Sequence, residues 1–351
     1  MFKYLSQIGD NKMNNFKKNP RHLTCCTFLS LILILTSFSS CIFVSAKVGP
    51  LLSGKETMEE TTVSGEGRNK ILLIDISGVI ADTDGSSITG LFLKESMVAS
   101  VKEQLEKAKD DKKIKAIILR INSPGGTVTA SDIIYNEINN FKEKNKVKVI
   151  ACMMDLAASG GYFIAMAADK VVAHPTTITG SIGVIFENFN VEGLFDKIGI
   201  KDASIKSGNK KDIGSPFRKI TKEEEEILRK VNDDLYNRFI EVVAKGRREL
   251  NLEEIKKLAD GRIYSADQAL KEKLIDKIGY LEDAVETAKK ETDIKEATVI
   301  MYKRPGSYKN NIYSKIPAPQ SVNFNLLTIG GENGASSYFM PGFMYLWVPG
   351  K

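Results

Sequence analysis

The sequence predicts an α/β fold with a largely parallel sheet, and three features carry the prediction. Apolar, β-branched runs recur at Ile71 (ILLIDISGVIA), Ile114 (IKAIILRI) and Val147 (VKVIA), and each reads as a buried strand. Between them lie helical patterns: Met97, Val98, Val101, Leu105 and Ala108 across residues 95–111, then Ile133, Ile134, Ile138 and Phe141 across residues 129–144. Each strand also runs into small residues, at Gly78, at Gly125-Gly126 and at Ser159-Gly160-Gly161. Strands alternating with helices through short Gly-rich turns are the pattern of parallel βα units.

The later elements follow the same logic. A brief strand is expected at residues 171–173 and a Gly-interrupted one at 178–184 (ITGSIGV), with a short helix at 191–198. Residues 221–247 form a long helix, opened by Thr221 and Glu224 at capping-box spacing. Further helices are expected at 252–259 and 282–291, with the stretches 260–264, 265–272 and 274–281 between them left unassigned, before a last strand at 297–302.

Flanking segments differ in composition. Residues 1–22 are polar and basic. Residues 23–46 run without a charge and are long enough to cross about 30 Å of hydrocarbon. This transmembrane anchor or signal segment, with its basic flank, predicts a cytoplasmic N-terminus and an extracytoplasmic body at the cell membrane. It is retained, cut after Val44-Ser45-Ala46, or lipidated at Cys41; Phe38 suits a lipobox poorly. Residues 47–69 read as a linker, 70–302 as the folded domain, and 303–351 as a flexible tail rich in Pro, Gly, Asn and aromatics. The apolar end of that tail, Phe343 to Val348, is a candidate to lie in a groove of its own or a neighbouring chain.

Composition narrows the chemistry. The net charge is +6, but five basic residues against Asp10 in the first twenty-two account for four of it, so nucleic-acid binding is not indicated. Cys25, Cys26 and Cys41 precede the folded body and leave Cys152 alone, so neither a disulfide framework nor a zinc site is expected. His22 and His174 are the two histidines, so imidazole catalysis in the body would need His174.

Ser159 stands where a strand turns into a helix, beside N–H groups without intrahelical partners. The position suits a nucleophile whose oxyanion needs donors, and equally an N-cap. Asn122-Ser123-Pro124-Gly125-Gly126 offers a second close backbone. The base could be His174 or a lysine whose burial favours the neutral amine, and composition leaves Lys170, Lys206, Lys210 and Lys211 open.

The motifs NSPGG, AASGGY, ADKVVAHPTTITGSIGV, IKSGNKKD, SPFR and ADGRIY, in that order across residues 70–302, resemble the signal peptide peptidase A family, serine peptidases of the protease IV group. The likeness is to their short, single-repeat form. It implies a Clp protease/crotonase-like spiral of βα units with Ser159 as nucleophile, Lys211 as general base and Ser181 orienting the lysine. Gly126 and Gly160 supply the oxyanion hole, and neither metal nor cofactor is required. It further implies a membrane-associated homo-oligomer, dome-like, degrading remnant signal peptides and other hydrophobic peptides. Asp155, ahead of the nucleophile, and the tail after Lys303 depart from the pattern. The rivals are a crotonase-type acyl-CoA enzyme, disfavoured by export and by the lysine segment, and a non-catalytic membrane scaffold, disfavoured by an intact Ser159 and Lys211.

Overall fold

The computed structural model describes residues 58–82, 85–86, 93–94, 96–304 and 342–347. The basic segment 1–22 and the apolar run 23–46, with its three possible fates, lie outside them. No helix among the described residues is long and apolar enough to cross a membrane.

The chain forms β1 (Glu59–Ser64), β2 (Lys70–Ser77), the two-residue pair β3 (Gly85–Ser86) and β4 (Leu93–Lys94), α1 (Met97–Ala108), β5 (Ile114–Ser123), β6 (Gly125–Thr127) and α2 (Val128–Asn145). Then come β7 (Lys148–Ala158), α3 (Gly160–Ala165), β8 (Lys170–Ala173), β9 (Ile178–Gly180), β10 (Ile185–Glu187) and α4 (Glu192–Lys197). The remainder is α5 (Lys222–Gly246), α6 (Leu252–Leu258), β11 (Ile263–Ser265), α7 (Ala266–Lys271), β12 (Lys277–Ile278), α8 (Leu281–Glu291), β13 (Thr298–Lys303) and β14 (Gly342–Leu346).

The main sheet has the order β1-β13-β2-β5-β7-β8-β12, with β9 continuing beside the end of β7 and β11 beyond it. Every pairing from β13 to β12 is parallel; β1 and β11 are antiparallel additions. Both faces are covered, which is why the strands are apolar at nearly every position. Ile71, Leu73, Ala116, Ile118, Ile150 and Cys152 pack on α8, while Leu72, Ile74, Ile117, Leu119, Val149 and Ala151 belong to the larger core with α1, α2, α3 and α5. Asp75 and Arg120, opposite each other on β2 and β5, form a buried ion pair on the α8 side. Cys152 stands next to Arg120 in register, and burial pushes its thiol up to about 12, so it is an inert core residue.

Three places depart from the sequence pattern. β1 lies inside the stretch read as linker; it is an edge strand with mostly exposed residues, so it shows no apolar signature. ITGSIGV does not stay one strand: Gly180 (φ 85°) and Ser181 (φ 48°) turn the chain, so β9 ends there and β10 joins another sheet. That second sheet has the order β10-β14-β6, and its middle strand comes from the tail. What holds β14 is Tyr345, fully buried, stacked on Phe163 at 5.0 Å and tilted on Phe239 at 4.7 Å.

Candidate active site

Ser159 closes β7 and opens α3 with φ 51° and ψ −115°, a region that a residue with a Cβ enters only when its surroundings hold it there. Its N–H donates to the Gly180 carbonyl at 2.8 Å and its carbonyl accepts from Phe163 N–H at 2.8 Å, so the backbone is fixed on both sides. The side chain makes no capping hydrogen bond and the residue is 1% exposed. An N-cap serine would spend its hydroxyl on the helix; this one does not, so its Oγ is left for other work.

Two other backbones crowd against it. A Cβ on Gly160 would stand 3.2 Å from the Gly126 nitrogen and 2.5 Å from Ser131 Oγ. One on Gly125 would overlap the Tyr345 carbonyl oxygen and stand 2.7 Å from the Gly160 nitrogen. Glycine is therefore required for this convergence. The turn before β6 is pinned by Ile80, whose N–H donates to Gly125 O and whose carbonyl accepts from Thr127 N–H, each at 2.8 Å. Ser181, 7% exposed, follows Gly180 and so lies one residue past the pairing of β9 with Ala158.

β14 runs antiparallel to β6 with Tyr345 opposite Gly126 and Leu346 opposite Gly125, and antiparallel to β10 on its other side. The Trp347 N–H donates to Pro124 O at 2.9 Å. Tyr345 reaches into a pocket of Phe163 and Phe239, where its hydroxyl donates to the Leu235 carbonyl at 2.9 Å. The tail strand thus crosses the mouth of the site as an extended peptide, with one of its own carbonyls against the glycine backbones.

Ser159, Ser181, Gly126 and Gly160 are brought together; Lys211 is not. It is exposed on the turns after α4, and its side chain makes no hydrogen bond or ion pair among the described residues. His174 is also remote in its bonding: Nδ1 meets Thr176 Oγ1 at 3.0 Å and the ring packs edge-on to Tyr280 at 4.7 Å. Lys206 is paired with Asp212, Lys210 with Glu223, and Lys170 with Asp276. Asp155 is exposed and touches Asn122 at 3.4 Å. Among the described residues no group of three or more His, Cys, Asp or Glu is arranged to hold a metal. Ile80, inside the strand expected over 71–81, lies past the end of β2 and pins the glycine turn, a role that no sequence pattern marks.

Comparison with known proteins identifies the family. The chain matches Peptidase family S49 over residues 141–295 and Clp protease over residues 81–180. It is 42% identical over 249 residues to an Enterococcus faecium protein named as a signal peptide peptidase SppA, covering 71% of each chain. It is 34% identical to the chloroplastic serine protease SPPA of Arabidopsis thaliana and to Protease 4 of Haemophilus influenzae, covering 71% and 66% of this chain but 37% and 36% of those longer proteins. A ClpP1 mutant structure from Listeria monocytogenes is 21% identical with a TM-score of 0.40, covering 61% of this chain and 94% of that one. With buried Ser159, the glycine backbones around it and a relative matched at this identity over most of both lengths, the chain belongs to the signal peptide peptidase SppA group of peptidase family S49.

Proposed function

We propose that this chain is a serine peptidase that hydrolyses extended hydrophobic peptides, with Ser159 as nucleophile and Lys211 of a neighbouring copy as general base. The observation that carries the reading is Ser159 itself: buried, held at positive φ, its hydroxyl unspent, and faced by the backbones of Gly126 and Gly160. A peptide laid along β6 as β14 is laid presents a carbonyl to those N–H groups. Ser159 Oγ attacks the carbonyl carbon as its proton passes to Lys211 Nζ, and the oxyanion is stabilised by the Gly126 and Gly160 N–H groups. Lys211 returns the proton to the leaving amine. Water then attacks the acyl-enzyme with Lys211 again as base, releasing the acid and free Ser159. Ser181 orients the amine.

Lys211 as a partner's contribution is supported by its exposure and by its surroundings. Of the fourteen exposed large hydrophobics among the described residues, ten fall between 185 and 231, Leu194, Ile198, Ile205 and Phe217 among them. Such a surface favours contact with another copy. Burial there would favour the neutral amine that a base requires. The apolar run 23–46 and the family point to remnant signal peptides at the membrane as substrates, with the domain extracytoplasmic. A fluorophosphonate probe tests the reading: it should label Ser159 in wild type and label Lys211→Ala far more slowly. Equal labelling of the two would remove Lys211 as base, and no labelling of either would return the scaffold reading.

A further inference from the structure

Lys211 sits on a segment without helix or strand, closed by short turns such as Lys211 N–H to Gly208 O at 3.1 Å and Ser215 N–H to Asp212 O at 2.9 Å. Such turns alone leave a surface segment loosely fixed, and a base must be held to a fraction of an ångström. Besides the exposed Lys210–Glu223 pair, one buried-end clamp ties this segment to the body. Arg218 donates from Nε and Nη2 to the two carboxylate oxygens of Asp212, both at 2.8 Å, and Asp212 is the residue directly after the lysine. From Nη1 and Nη2 it also donates to Glu224 at 2.9 and 2.7 Å, and Nη1 reaches the Lys219 carbonyl at 3.2 Å.

Glu224 is itself anchored. It is 1% exposed, in the first turn of α5, and accepts from Thr221 N–H at 3.0 Å in the capping box. The far end of α5 is core: Phe239, Ile240, Val242 and Val243 are buried. A planar guanidinium with a forked set of donors is the side chain that can grip two carboxylates at once; an ammonium is a point charge and cannot.

The charges matter as much as the grip. The groups around the turn are Lys206, Lys210, Asp212 and Arg218 on the segment itself, Asp202 before it, and Glu223 and Glu224 on α5. Lys206 bonds Asp212, Lys210 bonds Glu223, and Asp202 accepts from Ser204. Arg218 completes the balance, so that Asp212 and Glu224 are both neutralised. An unbalanced carboxylate beside Lys211 would favour its ammonium and work against a base.

We propose that Arg218 is the positioning residue for Lys211, fixing the lysine's turn to α5 and cancelling the carboxylates that would otherwise keep its amine protonated. The inference rests on Lys211 being the base. Two substitutions separate the roles. Arg218→Lys keeps the charge and loses the fork: kcat for a chromogenic peptide falls about tenfold, with the acidic limb of the kcat profile unmoved. Arg218→Met loses both: kcat falls further, and the acidic limb moves to higher pH by about one unit. Asp212→Asn added to Arg218→Met restores the charge balance and brings the limb back without restoring kcat. Oligomer size and thermal midpoint are followed in each, and Arg218→Lys, which retains the charge, is the variant that decides if Arg218→Met does not fold. Wild-type kcat in Arg218→Lys, or a limb that fails to move in a folded Arg218→Met, overturns the inference. If Lys211→Ala retains wild-type turnover, the proposed base is wrong instead, so the two failures are distinguishable.

Discussion

Around Ser159 the chain is buried and closely packed, whereas Lys211 is exposed. The nucleophile closes a central strand, its backbone bonded on both sides and crowded by two glycine turns that tolerate no Cβ. The lysine lies on an exposed turn, tethered to α5 by Arg218 on Glu224 and by Lys210 on Glu223. Under the proposed function, one chain finishes half of a catalytic pair and displays the other half in a stretch rich in unburied Ile, Leu and Phe. Precision at Ser159 comes from local packing; under the proposed function, precision at Lys211 would come from assembly, and the site would be complete only where copies meet.

The sharpest way to break that contrast is to mix inactive chains. Ser159→Ala should lose on the order of 10⁴-fold or more in kcat, and Lys211→Ala about 10³-fold. Co-assembled from equal amounts, the two should regain about a quarter of the wild-type sites if each site takes its serine and lysine from different copies. Recovery is measured as peptide turnover after refolding together. No recovery from a mixture shown to co-assemble would put both residues in the same chain and end the distinction.

Gly126→Ala acts on the packed half alone. Its Cβ would overlap the Ile80 carbonyl, a backbone atom that cannot swing aside. Displacing this N–H from the site should lower turnover by about 100-fold, while oligomer size and the Lys211 surface stay as they are. Tyr345→Ala has a smaller and mixed effect. Emptying the pocket of Phe163 and Phe239 costs about 3 kcal/mol of stability, read by urea unfolding. With β14 loosened from β6, turnover of short peptides should rise, and an unchanged rate would mean that the strand does not compete with substrate.

How much of this was legible in the sequence follows the same contrast. β2, β5 and β7 announce themselves because burial on both faces demands unbroken apolar runs, and the SGG and SPGG turns mark where backbones approach. β1 and β14 did not, because an edge strand such as Glu59–Ser64 has little to bury and β14 depends on one residue, Tyr345, whose pocket is built from Phe163 and Phe239, 182 and 106 positions earlier. The positive φ at Ser181 that divides ITGSIGV also has no sequence signature, since serine rarely adopts it. The clamp of Arg218 on Asp212 and Glu224 joins three residues spaced by six, a distance no helical or strand period selects. Side chains that act across turns are read from coordinates, while those that act along an element are read from pattern.

The mildest test concerns the anchor of the open half. Thr221→Ala removes the hydroxyl that accepts from Glu224 N–H at 3.2 Å and should cost about 1 kcal/mol at neutral pH. The cost should depend on pH. Hydrogen bonds from Arg218, and then from the Thr221 N–H, hold the Glu224 carboxyl at about 2, below the ordinary glutamate range. A group lowered in this way adds stability above its unfolded value, near 4.3, and loses it as the pH falls toward the folded value. Part of what Thr221 contributes passes through that carboxylate, because its hydroxyl also donates to Glu224 Oε2 at 3.1 Å. The gap between wild type and Thr221→Ala in urea unfolding should therefore narrow between pH 4.5 and pH 2. A gap that stays constant would make the cap a purely neutral contact and leave the side-chain pairs of Arg218 and Lys210, not the capping box, as the support of the lysine's turn.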